Sequence, residues 1–576
     1  MYDNWWNGGN RTTPQRHNMV GVLTEAASVK LATPIFLSKD DLRGNARGFA
    51  DYRPATNFVD PWPGGWWRLR DILEYEKICA RSYLTLAARY KDTFQRNYLA
   101  MGRDAIRQGQ DEPPFAWIVP ADQRDPGRAA EMVRILHDTG IEVHRASAPF
   151  QAGGLSYPAG SWILYAAQPY RTHLKDMMER QSYPARFTAS GAAEAPYDVA
   201  GWTLPLQMGV RAVAIAEPFE ASAERVERVE RPHGGIEGVI RPNLYMIRNQ
   251  ADDDFLVLNA LLAAGVEVRL TASAREDGAM LPAGALLLTP SNEARGVLDE
   301  VLPRVSTRVE GLDHPLPSDD SFPKGTMRLR SPRIGLYQPW VPSMDEGWTR
   351  LVLERYRFPY TTVHNAEIRA GKLDERFDVL LIPSIPSKTL RDGYQRDETE
   401  PSYVGGLGDE GADALRTFVR QGGTLICLED SCLFAIETLK LPVADVIKNL
   451  KTSAFYCPGS LLRVRYTPAY PEGSWLTVGM PEEGSVYFDR SLGFEVRDAP
   501  AVTVAARYAA SDLLESGWLL GPEKLQDKAA LVEVAVGPGR VILFAFPPQH
   551  RGQTRGTFRL LFNALLRGGM TPRDKG

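Results

Sequence analysis

The stretch His364-Asn365-Ala366-Glu367 carries HxxE spacing, the arrangement by which a histidine and a glutamate hold a catalytic zinc when a third ligand is nearby. Residues 360–363 before it read as a strand and those after it as a helix start, so His364 and Glu367 would not share a helical face. No zinc is expected there. Four cysteines (Cys79, Cys427, Cys432 and Cys457) contain no CxxC pair. Cys79 falls on an apolar helical stripe and reads as a small buried hydrophobe. Neither GxGxxG nor a P-loop occurs, so dinucleotide or phosphate binding has no motif behind it. Two candidates near the start remain. Glu25 closes the apolar run 19–27, which reads as a buried strand ending in one carboxylate. Arg11 lies in an aromatic, glycine-rich loop, where its guanidinium fork would suit a substrate carboxylate or else be solvated.

These residues need a scaffold, and 576 residues with 44% apolar content imply several domains. A balance of 67 basic against 71 acidic residues leaves no footprint for nucleic acid or an anionic membrane surface. No run of 18 apolar residues occurs and the first residues lack a signal-peptide pattern, so the chain as written reads as soluble and unexported. The expected fold class is multidomain α/β. Residues 1–108 hold a Pro-, Gly- and Trp-rich loop and a helix over 71–105, with Ile72, Tyr75, Ile78, Cys79, Tyr83, Leu86 and Ala87 along its apolar stripe. Trp62, Trp66 and Trp67 are expected to clamp that loop. Residues 113–220 and 221–330 read as two copies of a Rossmann-like strand-helix-strand unit. Residues 331–576 read as a further α/β domain with a β-rich insertion over 459–538.

Tyr2, the Gly8-Gly9 pair and Leu23-Thr24-Glu25, with Tyr2 lying 23 positions before Glu25, resemble the closing segment of the carboxypeptidase A-like zinc peptidases. The resemblance extends to multidomain bacterial carboxypeptidase-like proteins through Arg11-Thr12-Thr13-Pro14, residues 17–21, residues 60–71 and Met344-Asp345-Glu346-Gly347-Trp348. It implies a peptide substrate, a zinc cofactor, a substrate hydrogen bond from Tyr2, and a general-base role for Glu25. That base would take a proton from the zinc-bound water and return it to the leaving amine. In the family HxxE and a later histidine precede this loop; here they are expected before Met1, making the chain a truncated metallocarboxypeptidase, inactive alone, whose full-length product is exported.

The alternation after Arg333, with strand 423–428 feeding a helix from Ser431, resembles the class I glutamine amidotransferase-like fold. That likeness implies a cysteine nucleophile at the strand-to-helix turn, where a helix N-terminus lowers a thiol pKa. Glu429 occupies the turn instead, with Cys432 three residues on and His550 expected at the same sheet edge. Two alternatives to the peptidase reading follow: a thiol-dependent amidase using Cys432 and His550, or a noncatalytic binding or assembly module.

Overall fold

The computed structural model describes all residues except 1–2, 30–31, 43–51, 57, 190, 272–280, 315, 317–321, 324, 471–472, 498–499 and 571–576. They form two compact units, Met1–Pro113 with Ala166–Asp176, and Pro114–Tyr165 with Met177–Gly576.

In the first unit β1 (Ile35–Leu37) pairs antiparallel with β2 (Gly65–Trp67). The Trp67 ring meets Trp62 at 5.7 Å and Tyr75 at 5.5 Å, and its Nε1 donates to the Ala27 carbonyl at 2.8 Å. These contacts clamp the long loop. The apolar run 19–27 is not a strand: it is irregular, and Val20 is 69% exposed. Extended backbone needs a neighbour for its N–H and C=O groups, and the sheet described in this unit consists of β1 and β2 alone. The expected single helix is two, α1 (Leu69–Arg89) and α2 (Lys91–Asp111), separated by Tyr90 at φ −112°, ψ 21°. Its apolar stripe is not buried, Ile78 being 62% exposed, and Cys79 is half-buried.

The second unit opens with the repeat. Its first copy comprises β3 (Ala116–Val119), α3 (Pro126–Asp138), β4 (His144–Ala146), β5 (Trp162–Tyr165), β6 (Val213–Ile215) and β7 (Ala223–Arg225), in sheet order β6-β3-β5-β4-β7. The second comprises β8 (Leu244–Ile247), α4 (Asp253–Ala263), β9 (Val268–Thr271), β10 (Leu286–Leu288), β11 (Arg308–Leu312) and β12 (Thr326–Leu329), in the matching order β11-β8-β10-β9-β12, with a sixth strand, Gly235–Gly238, parallel to β11 at the outer edge. The first copy's sheet therefore runs past residue 220, to Arg225. Within the two five-strand orders all neighbours are antiparallel. Rossmann-like pairing would join the two strands of each strand-helix-strand unit directly, whereas here a later strand lies between them. Burial periodicity records which face of a strand is covered, not which strand lies beside it.

The rest of the unit contains β13 (Ile334–Tyr337), α5 (Met344–Arg355), β14 (Tyr360–Val363), α6 (Asn365–Arg369), β15 (Val379–Ile382), β16 (Thr424–Leu428), α7 (Asp430–Leu439), β17 (Ser460–Tyr466), β18 (Glu483–Phe488), β19 (Val502–Tyr508), β20 (Ala529–Val536), β21 (Gly539–Phe544) and α8 (Arg555–Gly569). Parallel strands run β14-β13-β15-β16-β21, the 2-1-3-4-5 order of flavodoxin-like sheets. β13, β15, β16 and β21 are buried along their whole lengths, as the continuous apolar runs in their sequences require. The β-rich segment continues the same sheet, β20, β19, β17 and β18 following β21 in antiparallel order.

The two repeats meet at their helix starts. Asp125 caps α3 by accepting from Arg128 N at 2.9 Å, and its other oxygen accepts from Asp252 N, at the start of α4, at 2.8 Å. Arg128 binds both carboxylate oxygens of Asp252, at 2.7 and 3.2 Å, with both side chains almost wholly buried. Arg128→Ala leaves Asp252 buried beside Asp125 without its counter-charge, which costs about 3–5 kcal/mol. The expected result is a clear fall in the urea midpoint of the purified chain; an unchanged midpoint would show that this bridge does not hold the repeats.

Glu131 on α3 accepts from Arg134 at 2.9 Å, Arg555 at 2.7 Å and Arg355 at 3.1 Å. Burial alone would raise its pKa, but the Arg134 hydrogen bond and the charges of Arg555, Arg134 and Arg355 hold it down to about 2. An unfolded glutamate titrates near ~4.3. The stabilisation is therefore complete above that value and lost as pH falls through about 2. Between pH 5 and pH 2.5, Glu131→Gln should lose less melting temperature than the parent; equal losses would contradict this assignment.

Candidate functional site at the strand-to-helix elbow

In a doubly wound sheet the crevice for ligands lies beyond the carboxyl ends of the parallel strands. Three segments of this chain bring carboxylates to that edge. β16 turns sharply into α7 through Glu429, at φ 45° and ψ −118°. Positive φ is costly for a residue with a Cβ and is sustained only where the surroundings impose it. Here Glu429 N donates to Phe544 O at 2.8 Å, and Ser431 Oγ ties the end of β16 by accepting from Leu428 N at 2.9 Å. The second segment is the start of α5, which carries Asp345. The third follows β18 and holds Asp489, Arg490 and Ser491.

Glu429 is buried, and Ser491 Oγ donates to its Oε1 at 2.6 Å. Burial pushes its pKa well above the usual carboxylate range; the Ser491 bond opposes this, and the charges of Asp345, Asp489 and Asp430 add to it. Burial likewise raises Asp345, Asp430 and Asp489, with Arg490 countering each. Acidic side chains with raised pKa values beside arginines can donate as well as accept hydrogen bonds, an arrangement suited to polar recognition or proton exchange.

Both members of the thiol pair are buried in this geometry. Cys432 is fully buried within α7, and its Sγ contacts the carbonyls of Cys427 at 3.2 Å and Phe544 at 3.3 Å. Burial pushes its pKa well above the ordinary thiol value, opposite to what a nucleophile requires. His550 stacks on Tyr487 at 3.9 Å, and burial with the charges of Arg551 and Arg490 lowers it to about 3, too low for a general base near neutral pH.

The HxxE residues also have other work. Glu367 Oε2 accepts from His364 N at 2.9 Å, His364 serving as N-cap of α6, and His364 Nδ1 lies 2.9 Å from Gln338 O. The motif is a capping box. Among the described residues no group of three or more His, Cys, Asp or Glu is placed to hold a metal ion, so the side chains described do not fit the zinc that the carboxypeptidase likeness implies. Glu25 sits exposed in an irregular segment, Tyr2 lies outside the described residues, and Arg11 is buried at 9% exposure rather than solvated.

Sequence reasoning missed Trp340. Its ring stacks on His364 at 4.0 Å and meets Tyr403 at 4.7 Å, beside a cavity of about 270 Å³ at the ends of β13 and β14. The signal in the sequence was a tryptophan in a Pro-flanked loop three residues after the buried run Ile334–Tyr337.

No protein-family model matches the chain, and no curated protein does. Solved structures overlap it weakly. A putative ThuA-like protein from Bacteroides uniformis is 11% identical, covering 45% of this chain and 98% of its own, at TM-score 0.27. A putative GMP synthase protein from Thermoplasma acidophilum is 12% identical, covering 41% and 94%, at TM-score 0.26. A β-galactosidase from Bacillus circulans sp. alkalophilus is 12% identical at TM-score 0.26, and this chain spans 32% of its length. Overlap this slight carries no argument about what the chain does.

A buried carboxylate whose folded pKa lies above its unfolded value makes the native state bind more protons than the unfolded one. Its presence then erodes stability as pH rises from the unfolded value, near ~4.3, toward the folded one. Glu429→Gln keeps the acceptor for Ser491 and removes that titration. The melting temperature of the variant relative to the parent should therefore be higher at pH 8 than at pH 5, and a constant offset would contradict the buried-acid assignment.

Proposed function

We propose that this chain is the noncatalytic binding portion of a zinc metallocarboxypeptidase-family protein, its flavodoxin-like domain holding a ligand or partner at the carboxyl edge of the sheet. The observation that carries the binding reading is the elbow: a hydrogen-bonded glutamate stands where a nucleophile would, and Cys432 contacts backbone carbonyls inside the domain. The peptidase part of the proposal rests on the resemblance of residues 1–108 and the motifs beyond them. The roles it implies for Glu25, Tyr2 and Arg11 belong to that resemblance.

The test incubates the purified chain with added zinc, free and C-terminally blocked peptides, and chromogenic amides, with and without iodoacetamide. Neither peptide nor amide turnover is expected, with or without iodoacetamide. Amide hydrolysis abolished by Cys432→Ala would replace this proposal with the thiol-amidase reading. Release of C-terminal residues abolished by Glu25→Gln would place the chain among active peptidases.

A further inference from the structure

Away from the elbow, the second unit contains a cavity of about 250 Å³ where the first repeat, the β17–β18 hairpin and α8 come together. Four guanidinium groups line it, from Arg124, Arg128, Arg211 and Arg559, against one carboxylate, Glu483. Glu483 is engaged with Arg465 at 3.0 Å. Arg128, Arg211 and Arg559 have acidic partners, Asp252, Asp122 and Asp254. Arg124 differs, since its Nη2 donates to the neutral carbonyl of Gly479 at 2.6 Å. Burial, and then the neighbouring charges of Arg559 and Arg128, disfavour its protonated form.

Two buried polar atoms on this lining lack protein partners. Arg559 is 1% exposed; its Nη1 donates to Asn249 O at 2.9 Å and its Nη2 to Ala251 O, yet its Nε has no hydrogen-bond partner. Tyr466 is 7% exposed and its hydroxyl has no partner either. A buried donor left unmade costs about 1–3 kcal/mol, so two on one cavity wall ask for an acceptor. An Nε–H cannot accept, a tyrosine hydroxyl can donate, and arginine forks match the planar or tetrahedral oxygens of an anion. We propose that this cavity binds a small oxyanion, the carboxylate or phosphate group of a small molecule, with Arg124 and Arg211 at the charged wall and Arg559 Nε and Tyr466 Oη completing the shell.

The test uses inorganic phosphate and succinate as separate probes, titrated calorimetrically into the full chain at fixed ionic strength, alongside melting temperatures. Saturable binding of at least one probe is expected, and the tighter of the two identifies the ligand class. Tyr466→Phe removes a hydroxyl that serves no protein group, so its melting temperature without anion should match or exceed the parent's while affinity falls several-fold. Arg124→Gln, which spares the Arg128–Asp252 bridge, should weaken binding about tenfold. Failure of both probes to bind the parent chain, or parental affinity in both variants, would overturn the proposal. Neither readout involves the elbow, Cys432 or Glu25.

Discussion

A charge buried where two helix starts meet organises the second unit. Asp125 and Asp252 would repel at the facing N-termini of α3 and α4, and Arg128 between them turns that repulsion into a bridge. Helix N-termini favour carboxylates, which is why the acids stand there, but their burial demands a partner of opposite sign. The same junction recruits α8, because Arg559 reaches back to the carbonyls of Asn249 and Ala251 and lies over the Phe255 ring. Phe255 in turn packs on Phe562 at 4.9 Å. The last described helix is thereby joined to the second repeat by both charge and apolar contact, and the cavity walled by arginines is a by-product of that convergence.

The carboxyl edge of the flavodoxin-like sheet is shaped by a different constraint. A strand entering a helix through one residue at positive φ projects that residue's side chain at the place where such folds bind or react with ligands. Glu429 occupies that position and is held by Ser491 from the β-rich segment. The segment between α7 and β20 is thus part of the elbow's surroundings as well as an extension of the sheet.

Much of the architecture was legible in the amino-acid order because it rests on local pattern. Continuous apolar runs announced β13, β15, β16 and β21, and the duplicated strand-helix-strand rhythm announced the repeat. Glu429 at the turn was readable from its position between strand and helix. The apolar run ending at Glu25 misled, since apolar residues describe a strand only where another strand pairs with it. His364 and Glu367 were correctly read as straddling a strand-helix boundary, and the boundary itself explains them, for a glutamate three residues into a helix serves the backbone at its start.

What the sequence by itself determined, then, is which segments must be buried, where helices begin, and which residue stands at each turn, since these follow from short-range spacing and backbone chemistry. Tertiary structure alone decided the rest. It placed β5 and β10 between strands that the rhythm suggested were neighbours, buried Cys432 away from reactive use, and brought Arg124, Arg128, Arg211, Tyr466 and Arg559 to one cavity. Contacts between residues hundreds of positions apart depend on how whole elements pack, and no local periodicity encodes them.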